Sequence, residues 1–353
     1  MRQLSVLVAL LAVVVYSAAC SEDPSRTGSD SGTGDGVVFG DFKQARDTTF
    51  DGPRPDGDFS VDGPVGSDGT PGGCTIFPPN NPWNQDITSL PVHSNSSNFV
   101  NAIGGSKPLH PDFGTVWNGA PNGIPFIIVP GNQPRVPINF TDYGDESDPG
   151  PYPIPLTAPI EGGPQGTGDR HVIALDLTNC MLYELFYAFP KANGWDASSG
   201  AIFDLRTNKL RTIGWTSADA AGLPIMPGLV DYDEVQSGVI DHALRFTVGQ
   251  SQRAFVRPAT HWASTNTNPN LPPMGLRFRL KASFDISSFS QSNQVILRAL
   301  KKYGMFMADN GGDWFLSGNP SPKWDDDDLS NLKSIQGTDF EVVDTGPIET
   351  SYP

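Results

Sequence analysis

Four carboxylates stand where a carboxyl group could do proton chemistry. Within residues 180–187, Glu184 shares a strand face with Leu182 and Phe186, and within residues 201–205 Asp204 shares one with Ile202. A carboxylate on an apolar face must be paired, protonated or set in a groove, because burying it alone is costly. Asp219 follows Ser217 among small residues and precedes Pro224 and Pro227, in a segment stiff enough to hold a carboxylate in place. Asp309 and Asn310 open a glycine-rich turn that ends at Trp314, where an aromatic face could stack on a sugar and amides could bond its hydroxyls. Each has a structural alternative. Glu184 could pair with Arg206 or Arg211, Ser217 or Asp219 could cap a short helix through Ala220 and Ala221, and Trp314 could be tucked into the core.

The histidines are His93, His110, His171, His242 and His261, and no two are spaced as a metal-binding pair. Distant strands could bring His171, His242 and His261 together with Asp169 or Asp241. His242 is the best single candidate for proton transfer, because Arg245 follows it closely and a titrating imidazole beside a fixed cation can move protons or recognise anions. Arg277, Arg279 and Lys281 alternate and so share a face, either a solvated one or one that grips uronates or sulfates. There is no Gly-x-Ser-x-Gly elbow, phosphate loop, dinucleotide fingerprint or His-Glu-x-x-His. Neither a metal nor a cofactor is expected.

Two carboxylates across a sheet groove are what glycoside hydrolysis requires, one donating a proton to the leaving oxygen and the other attacking or activating water. The expected function is therefore polysaccharide hydrolysis by two of Glu184, Asp204, Asp219 and Asp309. A lyase acting on acidic glycan, built on His242, Arg245 and the cationic face, is the enzymatic alternative. A noncatalytic protein that binds glycan or a partner through Trp262 and Trp314 is the other.

The elements that must position these residues are short. Apolar runs at 125–130, 171–177, 181–189, 201–205, 242–248, 254–256 and 276–284 are separated by frequent Gly and Pro. This pattern predicts a mainly β, single-domain fold, sandwich or jelly-roll-like, with few short helices. Residues 171–177 and 180–187 read as a hairpin turning at Thr178 and Asn179. Residues 293–303 read as a helix, with Val295, Ile296, Ala299, Leu300 and Tyr303 on one face, Lys301 and Lys302 at its end and Gly304 as its stop. Asp325 to Asp328 predict a capped second helix, since they lack calcium-loop spacing, and Asp231, Asp233 and Glu234 predict another helix start.

At the N-terminus, Arg2 and an apolar run at 4–16 lead into Ser17, Ala18, Ala19 and Cys20. The run is too short to span a membrane permanently. It resembles a bacterial lipoprotein signal, which implies cleavage after residue 19, lipidation of Cys20 and a place in the cell envelope outside the cytoplasm. Residues 20–73 are rich in Asp, Gly, Ser and Pro and read as a disordered tether, residues 74–344 as the globular domain and 345–353 as a tail. With Cys20 lipidated, Cys74 and Cys180 remain to form a disulfide in an oxidising compartment. The net charge of −16 argues against nucleic-acid binding. The expected partners are an envelope or extracellular polysaccharide and, through the lipid alone, a membrane, with the chain itself a monomer.

Four phrases in the domain are long enough to be specific: Gly214 through Val235, His242 through Phe246, Pro272 through Lys281, and Ala299 through Gly311. Together they resemble a family of exported bacterial proteins, across most of residues 74–344. That resemblance transfers no catalytic role, so function rests on the residues themselves.

Overall fold

The computed structural model describes residues 74–352; the signal segment, Cys20 and the tether lie outside the described residues. Helix α1 (Ser96–Ile103) leads into β1 (His110–Asp112), the small hairpin of β2 (Val116–Trp117) and β3 (Ala120–Pro121), then β4 (Phe126–Val129) and β5 (Ile138–Phe140). Next comes the predicted hairpin, β6 (Val172–Asp176) and β7 (Met181–Phe186), paired antiparallel from Val172 with Leu185 to Asp176 with Met181. Asn179 closes its turn, with Asp176 accepting from the Asn179 backbone N–H at 2.8 Å. Strands β8 (Phe189–Pro190), β9 (Trp195–Ala197) and β10 (Ser199–Asp204) follow. The four-stranded sheet has the order β10, β7, β6, β4.

After helix α2 (Tyr232–Ser237), the chain builds a six-stranded mixed sheet from β11 (Leu244–Val248), β12 (Arg277–Leu280), β13 (Met305–Asn310), β14 (Phe315–Ser317) and β15 (Phe340–Val342), together with β1. The order is β1, β14, β11, β13, β12, β15, with parallel pairing of β1 to β14 and of β11 to β13. Two further helices interrupt it. Helix α3 (Gln291–Lys302) is capped by Ser290, whose hydroxyl accepts from Asn293 N–H, and buries Val295, Ile296, Ala299 and Leu300 as its periodicity predicts. Asp325 caps α4 (Asp326–Ser330). The fold is mainly β, with several sheets and few short helices.

Strand β6 is buried along its whole length because it lies between two cores. Ile173 and Leu175 face the main core, while Val172 and Ala174 face a smaller one with Tyr152, Leu185 and Trp195. On β7, Leu182 belongs to the main core and Tyr183 and Leu185 to the smaller one, so Glu184 projects toward the main-core side. The disulfide between Cys74 and Cys180 is present and ties the start of the domain to this hairpin.

Three expectations about the periphery are corrected. Residues 345–352 are docked rather than a loose tail: Phe255 and Glu349 exchange two backbone hydrogen bonds, and Arg257 pairs with the Glu349 carboxylate at 2.7 Å. Residues 254–256 contribute isolated bridges at Phe255 rather than a strand. The charges of Arg277, Arg279 and Lys281 are taken up by partners within the protein rather than left as an anion grip. Arg277 is fully buried and donates to the carbonyls of Tyr303, Pro82 and Gln85, Arg279 pairs with Glu341 at 2.8 Å, and Lys281 donates to Thr338 O.

Candidate active site

Asp219 is placed by a turn, not by the short helix that its neighbours suggested. The Ser217 hydroxyl accepts from Asp219 N–H at 2.9 Å and donates to Leu223 O at 2.5 Å, and Gly222 N–H returns to Asp219 O at 3.0 Å. Gly222 has φ +73°, and a Cβ there would stand 2.1 Å from the Thr260 hydroxyl, so only glycine closes this turn. Ala221 N–H donates to Ala308 O at 2.9 Å and fastens the turn to β13, one residue before Asp309.

Two carboxyl groups are thereby brought together. Asp219 is fully buried and receives both arms of Arg245, Nε to Oδ2 at 2.9 Å and Nη2 to Oδ1 at 2.7 Å. Such a paired fork is the strong, bidentate form of contact between a guanidinium and a carboxyl group. The third arm of Arg245 donates to the Ser317 hydroxyl on the neighbouring strand β14. Asp309 lies against Asp219 and is pushed well above the ordinary carboxyl range, first by burial and then by the Asp219 charge. Burial and the neighbouring charge therefore both favour the protonated form of Asp309. It is still half-buried rather than sealed, with its oxygens also meeting Ala220 N–H at 3.3 Å and Asn310 N–H at 2.6 Å.

A second group of acids faces the same arginine. Asp112 pairs in register with Ser317 across β1 and β14. It is exposed, yet burial is the largest cause raising its pKa to about 6, followed by the charge of Glu161, with Arg245 opposing them and Asp169 adding to the rise. Glu161 accepts from His171 Nδ1 at 2.6 Å, and His171 Nε2 reaches Ala218 O at 3.1 Å. Burial works against a charge on His171, but Glu161 outweighs it and raises the imidazole to about 9. Both ring nitrogens of this imidazolium donate, one of them to the residue before Asp219. Glu184, fully buried beneath the turn, accepts from Ile225 N–H at 3.0 Å and Met226 N–H at 2.9 Å. Burial pushes its carboxyl up to about 7 against those two bonds.

The structure thus gathers Glu184, Asp219, Asp309 and Arg245, and leaves the other predicted residues elsewhere. Asp204 forms a surface fork with Arg206, at 2.8 and 3.1 Å, which lowers its pKa. His242 pairs with Glu234 at 3.1 Å and not with Arg245. The three histidines do not converge: His171 takes Glu161, His242 takes Glu234, and His261 lies 3.8 Å from Glu146. Neither proposed arginine reaches Glu184, since Arg206 takes Asp204 and Arg211 takes Asp148. Trp314 is buried between Phe246 and Phe340 with its indole N–H on Gly104 O, so it cannot stack on a ligand. Asn310 is exposed at the edge of β13, and Trp262 is half-buried. Among the described residues no group of three metal-ligating side chains occurs.

Sequence reading missed Asp112 and Glu161 and treated His171 only as part of a histidine cluster. Asp112 sits in a three-residue strand too short to show a period, and Glu161 stands in a Gly- and Pro-rich segment. A depression of about 420 Å³ lies away from the acids, against the disulfide and Pro78, Leu177 and Thr178. Its lining arginine, Arg206, is committed to Asp204, so no free acid or base faces it.

Set against family models, curated proteins and solved structures, the chain matches none.

Proposed function

We propose that this protein hydrolyses a polysaccharide by acid–base chemistry at Asp309 and Asp112, anchored through lipidated Cys20 to the outside of a bacterial membrane. The observation that carries the reading is the Asp309 carboxyl lying on an Asp219 carboxylate that Arg245 clamps. That arrangement keeps a proton on a half-buried acid, which is what protonation of a glycosidic oxygen needs. Asp112, ionised above a pH of about 6, supplies the second carboxylate, within the field of the same Arg245. His171 and Glu184 hold the turn that carries Asp219 and take no part in proton transfer.

The lyase alternative loses support, because each nitrogen of Arg245 is engaged by Asp219 or Ser317 and Arg277 is buried. Noncatalytic glycan binding keeps one foothold in Trp262, whose ring stacks on Tyr352.

Reducing-end release by the full-length protein from a panel of neutral and charged polysaccharides tests the proposal. Asp309→Asn and Asp112→Asn should each lower release by about 100-fold or more while keeping the wild-type unfolding midpoint. Release unchanged in Asp309→Asn would sink the assignment, and retention on an insoluble glycan without product would favour the binding reading. Radiolabelled palmitate incorporated by the wild type and lost in Cys20→Ser would support the anchor.

A further inference from the structure

The ring of Tyr352 lies parallel to the indole of Trp262, centroids 3.8 Å apart and planes within 9°. It also lies over Gly214, where an added Cβ would sit in ordinary van der Waals contact, 3.5 Å from the ring. Gly214 has φ +88°, a backbone conformation that favours glycine. The result is a flat slot, between bare backbone and an indole, filled by one six-membered ring. His261 continues the stack, parallel to Tyr352 at 6.3 Å.

This slot adjoins the acid. His261 Nδ1 is 2.8 Å from Ala220 O, and Ala220 N–H donates to Asp309. Polar groups surround it at the reach of sugar hydroxyls: the Arg253 guanidinium over Trp262 at 5.0 Å, and Glu146 3.8 Å from His261 Nε2. Tyr352 itself is held lightly. It is 36% exposed, and its hydroxyl accepts a long 3.4 Å hydrogen bond from Trp262 N–H. Stacking of one aromatic pair is strong enough to fill the slot and weak enough to yield, altering an equilibrium by several-fold to about tenfold.

We propose that the slot lined by Gly214, Trp262 and His261 is a pyranose-stacking subsite beside Asp309, and that Tyr352 stands in it where a sugar ring would lie. The inference rests on the glycan reading above. A pyranose offers the indole a flat face of C–H groups of the same breadth as a phenol ring, while its hydroxyls turn toward Arg253 and Glu146. Binding then exchanges one ring for another and swings residue 352 outward.

Calorimetric titration with cellohexaose, chitohexaose, mannohexaose and xylohexaose tests this, using the full chain carrying Asp309→Asn so that no ligand is consumed. For the hexasaccharide that binds, Tyr352→Ala should lower Kd by several-fold to about tenfold, and Trp262→Ala should raise it by tenfold or more. Trp262→Phe, which keeps an aromatic face, should lie between. Affinity unmoved by both Tyr352→Ala and Trp262→Phe overturns the subsite even if polysaccharide is hydrolysed. Absence of binding by every variant, together with absence of reducing-end release by the wild type, overturns the glycan reading and this inference with it.

Discussion

Arg245 and Asp219 meet through two hydrogen bonds, with side-chain exposures of 4% and 0%. Water therefore competes for neither partner, and each charge depends on the other. Removing the arginine alone leaves Asp219 as an uncompensated buried charge. Arg245→Leu should cost about 3–5 kcal/mol in urea unfolding. The double variant Arg245→Leu with Asp219→Leu should recover part of that loss. A single variant as stable as wild type would mean that the pair is not buried as described.

Glu184 makes stability fall as pH rises. The folded protein holds the Glu184 proton up to about pH 7, whereas an ordinary glutamate loses it near 4.5. Between these values the folded state binds more protons than the unfolded chain, so raising the pH favours unfolding. The effect is on the order of 3 kcal/mol across that window. Glu184→Gln, which cannot ionise, should unfold with a flatter dependence on pH between 4.5 and 7; an unaltered slope would count against this account.

The His171 window lies higher. Its folded pKa of about 9 exceeds the ordinary 6.5, so its stabilising charge is fully present below pH 6.5 and is lost as pH rises through 9. Thermal melts of His171→Gln should show a lower midpoint at pH 6 and a smaller further decline between pH 6.5 and 9 than wild type. Glu161→Gln removes the partner that sustains the charge and should reproduce the flattening.

Hydrolysis should follow the ionisation of Asp112 on its acid side. Activity should climb through a pH of about 6 as Asp112 loses its proton. Asp112→Glu, which keeps a carboxylate on a longer stem, should retain a rising limb with its midpoint moved. A pH profile identical to wild type in that variant would place the base elsewhere.

What could be read from sequence was local. The β6–β7 hairpin and α3 each carry a period and a turn or cap within a dozen or so residues, and both formed where expected. The side of β7 that Glu184 occupies was also legible, because alternation alone sets it. Its partners were not: they are the backbone N–H groups of Ile225 and Met226, which every sequence carries. Asp204 gave the same apolar-face signal but is answered by Arg206 two residues on. Asp219 and Arg245 are 26 residues apart, and Arg245 and Ser317 are 72 apart, distances over which no pattern of spacing survives. Trp314 misled because a glycine-rich turn usually displays its aromatic residue, whereas here the indole turns inward onto Gly104 O.

The Cys74–Cys180 bridge has a mechanical consequence. Tension transmitted along the chain from residues ahead of Cys74 does not peel the domain open from its first residues, because the bond passes it directly to the turn of the β6–β7 hairpin. From there it spreads along a five-residue strand wedged between two cores. A protein pulled from that end would be loaded at the hairpin turn rather than at its first residues.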